Sequence, residues 1–224
     1  MSGIARNILQ LKSSIPEGVT LVAVSKTKTV EDIMEAYRAG QRVFGENRVQ
    51  EIIEKHPLLP SDLRIHMIGH LQTNKVKYII DKVKMIEGVD SFKLLGVIDR
   101  EAAKKNLRPD VLLQFHIAEE ESKYGFTFGE VMEFHETAAI AEYHNICIRG
   151  VMGMATFTDD MIQVRKEFKT LRQYFDILKN KYYSNINAFD QVSMGMSGDY
   201  RIAIEEGSTM IRVGSAIFGL RNIP

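Results

Sequence analysis

Tryptophan is absent from this chain of 224 residues, and cysteine occurs once, at Cys147. A single thiol excludes an internal disulfide framework and any metal site built from several cysteines. Within ICIRG it reads as a small buried hydrophobe. An excess of one charge is also missing: Lys+Arg and Asp+Glu number 29 each. Bulk electrostatics therefore favour neither nucleic acid nor an anionic membrane as partner. No apolar run approaches the roughly 20 residues a spanning helix needs. The opening MSGIARNILQLKSSIPEG has no long apolar segment and reads as an amphipathic helix, not a signal peptide. The six histidines, His56, His66, His70, His116, His135 and His144, show no metal-ligand spacing, so no metal is expected. There is no low-complexity stretch and no Pro/Gly-rich linker. One domain over residues 1–224 is expected, in a cytoplasmic protein.

What is present is an alternation. Apolar runs of strand length fall at residues 20–26, 42–47, 64–69, 84–89, 110–118, 146–155, 189–195 and 209–219. Longer stretches of helical period lie between them, among them VEDIMEAYRAG, SFKLLGVIDREAAKKN, TFGEVMEFHETAAIAEYH and MIQVRKEFKTLRQYFDILKNKYY. Ser91 before one helix, and Gly40 and Gly207 after others, supply start and stop signals. Strands alternating with helices imply an α/β fold with a parallel sheet, and near-continuous apolar strands such as TLVAV suit burial on both faces. The strand count favours a single closed (β/α)8 TIM barrel. No G-x-G-x-x-G follows the first strand, which disfavours an open dinucleotide-binding sheet.

In such barrels the working face lies at the C-terminal ends of the strands. Polar and glycine residues gather there: Ser25-Lys26-Thr27-Lys28, Glu46-Asn47-Arg48, Gly69-His70, Met152-Gly153-Met154, Ser193 to Ser197, and Arg212 to Ser215. The glycine-bearing ends of the last two strands, SMGMSGD and RVGS, suit a phosphate cradled by backbone N–H groups. The plainer reading is turn glycines and a helix cap at Ser197 or Asp199. Lys26 ends a core strand. A lysine in an apolar barrel mouth is poorly solvated and so loses its proton more readily, an effect Lys28 strengthens. A neutral amine attacks a carbonyl to form a Schiff base. A solvated lysine at a strand end is the competing explanation. Schiff-base lysine plus phosphate site leaves two ligands open, a phosphorylated sugar or pyridoxal 5′-phosphate. Arg212, whose guanidinium keeps its proton, favours the second, because it can face a pyridine nitrogen that stays neutral.

AVSKTKTVEDIMEAYRAGQRVFGENRVQE, HMIGHLQTNKVK and SMGMSGDYRIAIEEGSTMIRVGSAIFG resemble signature stretches of the pyridoxal phosphate homeostasis proteins, and the resemblance runs over essentially the whole chain. It implies the barrel of the alanine racemase N-terminal type without that enzyme's second β domain. It implies that Lys26 holds pyridoxal phosphate as a Schiff base and that Ser193, Met194, Gly214 and Ser215 surround the phosphate. By the same resemblance, Arg212 faces the ring nitrogen, and Asn47, His70 and Met152 line the pocket. Arg48 departs from the family's usual aromatic residue, and Ile65, His66 and Met67 depart from its usual tripeptide. The tail ends at RNIP, without the lysines some bacterial members carry there.

The implied role is intracellular pyridoxal phosphate homeostasis: holding the cofactor and delivering it to apo-enzymes, as a monomer and without efficient turnover. The alternative is a one-domain pyridoxal-phosphate racemase or other slow enzyme of that class. Racemisation needs acid–base groups on both faces of the carbanion, and nothing in the sequence aims Tyr124 or Tyr200 at the second face. Lys28, Lys75 and Lys123 are read either as solvated rim charge or as a relay that passes the aldehyde between amines.

Overall fold

The computed structural model describes residues 3–120, 124–137 and 139–219. Within them the strands β1 (Thr20–Val24), β2 (Val43–Glu46), β3 (Arg64–Met67), β4 (Met85–Val89), β5 (Asp110–Phe115), β6 (Cys147–Gly153), β7 (Gln191–Ser193) and β8 (Met210–Val213) close into a barrel in chain order. Every neighbouring pair is parallel, and β8 returns to β1 through Thr20 opposite Met210 and Val22 opposite Arg212. The expected (β/α)8 architecture is present.

The alternation of side chains along each strand sorts the core into layers. On β1, Leu21 and Ala23 face outward with Phe44, Ile211 and Val213, against helices α1 (Gly3–Ser14) and α2 (Val30–Arg38). Val22 faces inward and meets Met85, Leu112, Met152 and Met210, which fill the lower barrel. Above that apolar plug the inward side chains are polar: His66, Glu87, Ser193 and Arg212 bond to one another. The rest of the outward surface packs on α3 (Val49–Lys55), α4 (Val76–Ile79), α5 (Phe92–Lys104), α6 (Phe128–Glu136) and α7 (Met161–Tyr182).

Local signals set the helix ends. Thr29 and Asp32 form a capping box at the start of α2, and Ser91 accepts the Leu94 N–H at the start of α5. Gly40 and Gly207 follow α2 and α8 (Tyr200–Glu205) with φ of 89° and 87°, the left-handed conformation that glycine adopts without strain. One expectation shifts. The stretch read as one helix over 127–144 stops at Glu136 and resumes as a 3₁₀ turn at Ala139–Glu142. The last apolar run holds β8, then Gly214 and a short α9 (Ser215–Phe218). Helix α3 was not foreseen in the sequence; only seven residues separate its start from the 3₁₀ turn at His56–Leu58.

Candidate functional site

A cavity of about 570 Å³ opens at the C-terminal ends of the strands. Lys26 and Lys28 from the turn after β1, Asn47 after β2, Ile68 after β3 and Met154 after β6 line it, together with Arg212 and Gly214 of the β8 end. Met196, Ser197, Gly198 and Asp199 after β7 complete one side, with Ser215 beside them. The segment from Thr156 to Asp159 leads into α7 and walls the other side. Its size falls within the range of small-molecule and cofactor sites.

Lys26 arrives on a tight turn. The Lys28 N–H donates to the Ser25 carbonyl at 3.0 Å, and Thr27 sits at φ 64°. Ser25 points outward and is buried, whereas Lys26 lines the cavity. Behind the turn lies a buried charge cluster. Lys55 Nζ donates to Glu46 Oε1 at 2.9 Å, to Glu51 Oε2 at 2.7 Å and to the Ser25 carbonyl at 3.0 Å. Ser25 Oγ donates to Glu46 Oε1, and the Thr27 N–H donates to Glu51 Oε2, both at 2.7 Å. Burial pushes the Glu46 carboxyl up, against the pull of Lys55 and Ser25. For Glu51 burial acts in the same sense, but Lys55 and the Thr27 N–H outweigh it, and the net shift is downward.

The floor is a second cluster. Arg212, only 4% exposed, donates through Nη1 to Ser193 Oγ at 2.5 Å and through Nη2 to the Gly153 carbonyl at 2.9 Å. Ser193 Oγ donates to Glu87 Oε2 at 2.6 Å, and Glu87 Oε1 pairs with His66 Nδ1 at 2.7 Å. Burial pulls Arg212 down from its ordinary value, opposed by the Glu87 carboxylate. Burial acting alone would raise Glu87; bonding and attraction from His66, then Arg212 and Ser193, bring it below the usual carboxylate range.

The last two strand ends are tied together. The Gly214 N–H donates to Ser197 Oγ at 3.2 Å, and the Met196 N–H donates to Asp199 Oδ1 at 2.5 Å. Gly195 stands at φ 97°, and a Cβ there would lie 2.6 Å from Ala203 Cβ, so the loop turns closely over α8 only as glycine. A Cβ at Gly214 would press on Val24 at 3.2 Å, whereas at Gly198 it would meet nothing within 4 Å.

The candidate residues therefore separate. Lys26, Asn47, Arg212, Gly214 and Ser215 share the cavity wall. Ser193 lies beneath it, occupied by Arg212 and Glu87. Met194 is turned outward into the helix-facing core, with its N–H donated to the Met210 carbonyl. Met152 belongs to the apolar plug. His70 bonds to Asp90 at 2.7 Å, stacks on Tyr124 and lines a neighbouring groove with Arg48 and Lys75, to which Asn47 also contributes. Lys28 donates to the Phe218 carbonyl at 3.1 Å. Lys123 lies outside the described residues. Lys55, Glu51 and Glu87 carry no signal in the sequence that assigns them to the site, and Glu46 stands there only as one of the polar residues at a strand end. The four-residue spacing of Glu51 and Lys55 is the one local sign of the first cluster.

Among the described residues no group of three or more His, Cys, Asp or Glu side chains is arranged to hold a metal ion. No helix among them is long and apolar enough to cross a membrane.

The family model described as the N-terminal domain of alanine racemase matches residues 1–222. A protein of Aquifex aeolicus named pyridoxal phosphate homeostasis protein is 40% identical over 202 residues, covering 90% of this chain and 86% of its own. One of the same name from Escherichia coli K12 is 35% identical, covering 99% of this chain and 98% of its own. The solved structure of PipY from Synechococcus elongatus, with PLP bound, superposes with a TM-score of 0.86 at 34% identity, over 96% of this chain and all (100%) of that one. Alanine racemase of Clostridium difficile, 15% identical, shares the barrel at a TM-score of 0.77, over 99% of this chain and 56% of the racemase. The chain belongs to the family of alanine racemase N-terminal domains and, within it, to the pyridoxal phosphate homeostasis proteins.

Proposed function

We propose that this protein binds pyridoxal 5′-phosphate in the barrel-mouth cavity and serves cofactor homeostasis in the cytoplasm, holding the cofactor through Lys26 and handing it to apo-enzymes. One observation carries the reading: an amine, a buried guanidinium and two glycine-bearing loops wall the same cavity. These residues fit the group. Beside the Met196 and Gly214 N–H groups, which tie the two loops internally, Ser197, Gly198 and Ser215 bring backbone N–H groups and hydroxyls that suit a phosphate. Asn47 brings a buried Oδ1 that has no hydrogen-bond partner among the described residues.

When bound, the cofactor supplies an aldehyde joined to a pyridine ring that can take up electron density. Lys26 would hold the group through its amine, which can join an aldehyde carbon with loss of the carbonyl oxygen as water. Arg212 is fixed by Ser193 and the Gly153 carbonyl and keeps its charge beside Glu87. Facing a ring nitrogen, it donates a hydrogen bond without giving up a proton, so the ring stays a weak electron sink. That favours a holder over an efficient racemase. Neither Tyr124 nor Tyr200 lies on the cavity wall, which supports the same choice.

Incubation of the purified protein with pyridoxal phosphate, borohydride reduction and peptide mass mapping test the binding. The expected product is one pyridoxyl adduct, at Lys26, lost in Lys26→Ala. An adduct elsewhere, or none, overturns the reading. Transfer to an apo-enzyme of the same cofactor class tests delivery. Racemisation of L-amino acids at about 1 s⁻¹ or faster would install the enzyme in its place. Sedimentation of the loaded protein is expected to show a monomer.

A further inference from the structure

We propose that Lys55, on the outer side of the barrel, is a positioning residue that sets the turn from which Lys26 enters the cavity. The inference rests on the reading that Lys26 captures the aldehyde, and it adds a residue that does not line the cavity.

The turn needs such a support. Ser25 to Lys28 closes on the bond from the Lys28 N–H to the Ser25 carbonyl, with Thr27 third at φ 64°. A positive φ at the third position of a turn suits glycine or asparagine, and a β-branched residue there is strained. Strain of this kind persists only where the surroundings over-determine it. Here both flanks of Lys26 are gripped by one cluster. Lys55 Nζ takes the carbonyl of the residue before it, Ser25, at 3.0 Å. Glu51 Oε2, itself held by Lys55 at 2.7 Å, takes the N–H of the residue after it, Thr27, at 2.7 Å. Glu46 Oε1, held by Lys55 at 2.9 Å, receives the Ser25 hydroxyl at 2.7 Å.

All three bonds therefore pass through the ammonium of one residue, Lys55, that is 8% exposed. Removing it leaves two carboxylates facing each other behind the turn, with no cation among the bonds described to hold them together. The Ser25 carbonyl and the Thr27 N–H then lose their common anchor. The turn is free to relax from positive φ, and the Lys26 amine no longer starts from a fixed point at the mouth.

The test separates capture from recognition. Lys55→Met keeps the length and apolar stem while removing the charge. Loss of charge-assisted hydrogen bonds to the turn is expected to slow pyridoxal phosphate capture at Lys26, read as borohydride-fixed adduct against time, on the order of tenfold. Pyridoxine 5′-phosphate has the same ring and phosphate but no aldehyde, and its affinity is expected to change by no more than about twofold. Lys55→Arg should recover part of the rate. Thr27→Gly added to Lys55→Met should recover more, because glycine takes the positive φ without strain. Should Lys55→Met not fold, Glu51→Gln retains the ammonium but weakens the grip on Thr27, and should show the same split.

Unchanged capture by a folded Lys55→Met, or equal loss of capture and pyridoxine phosphate affinity, overturns the positioning role alone. Absence of a Lys26 adduct in the wild-type protein overturns the binding reading beneath it.

Discussion

Arg212 Nη1 and Ser193 Oγ lie 2.5 Å apart inside the barrel, and the serine hydroxyl spends its one proton on Glu87 Oε2, 2.6 Å away. The serine thus links a cation to an anion through its acceptor and donor sides. Arg212 and Glu87 themselves stand 3.8 Å apart. The inward Ser193 side chain fixes the guanidinium that faces the cavity. The cavity floor is rigid because its polar groups satisfy one another.

That arrangement makes Glu87 a structural necessity. It is fully buried (0% exposed), and its removal as Glu87→Ala leaves the Ser193 hydroxyl and His66 without an acceptor and Arg212 without its counter-charge. Breaking a buried ion pair from one side costs about 3–5 kcal/mol. Urea unfolding of the variant should show a loss of that size. Ser193→Ala preserves the charge pair but removes two hydrogen bonds and should lose about 2 kcal/mol. Equal losses in the two variants would contradict the assignment.

Gly195 and Gly198 sit three residues apart in the same loop, yet they predict opposite outcomes. Gly195→Ala places a Cβ 2.6 Å from Ala203 Cβ and 3.0 Å from Tyr200 Cα, at a φ of 97°. A loss of about 1–3 kcal/mol in stability follows from the strain, together with weaker pyridoxal phosphate binding as Met196 and Ser197 shift. Gly198→Ala meets nothing within 4 Å. Its stability should stay within about 0.5 kcal/mol of wild type, so any loss of binding there reports crowding in the cavity itself.

Lys28 offers a cation on the wall without belonging to the turn's support; its ammonium holds the Phe218 carbonyl. Lys28→Met should leave the adduct at Lys26 but weaken pyridoxine phosphate binding several-fold, since an anion loses about 1 kcal/mol of attraction near a partly wet surface. A shift of the adduct to another lysine would show instead that Lys28 takes part in capture.

The barrel was legible because its strands are apolar on both faces, and the polar residues at their ends stand out against those runs. Lys26 was visible for that reason: it stands two residues beyond the end of TLVAV, after Ser25. What periodicity cannot give is parity within a short strand. β7 has three residues, too few for an alternation to show which of them face the cavity, and Met194 lies on the outer face. Met152 packs in the apolar plug, whereas Met154, two residues on, reaches the cavity. The Lys55 cluster was hidden because Ser25, Glu46 and Lys55 are separated by 21 and 9 residues and meet only after β1 and β2 pair. Helix α3, which carries Lys55, is too short at seven residues for its period to announce it.

His135 predicts how stability depends on pH. Its Nδ1 lies 2.7 Å from the Val131 carbonyl, which can only accept, so the proton is on Nδ1. Nε2, 2.8 Å from Tyr183 Oη, then receives the phenol's hydrogen bond. Both ring nitrogens are satisfied by the neutral imidazole, and protonation would set two donors against each other in a site 7% exposed. Burial accordingly pulls the His135 value below its ordinary 6.5, opposed by the bond to Val131. In the unfolded chain the imidazole takes up a proton as the pH falls through 6.5, while the folded protein resists until its own lower value is reached. The unfolded state therefore binds more protons in that window, and stability falls as the pH falls. Above the ordinary histidine range this residue contributes no slope. His135→Gln can keep a donor toward Val131 and an acceptor toward Tyr183 without titrating. Urea unfolding at about pH 7.5 and about pH 5.5, either side of the ordinary histidine value, should show a smaller drop for the variant than for the wild type. The same drop in both would place the acid sensitivity elsewhere.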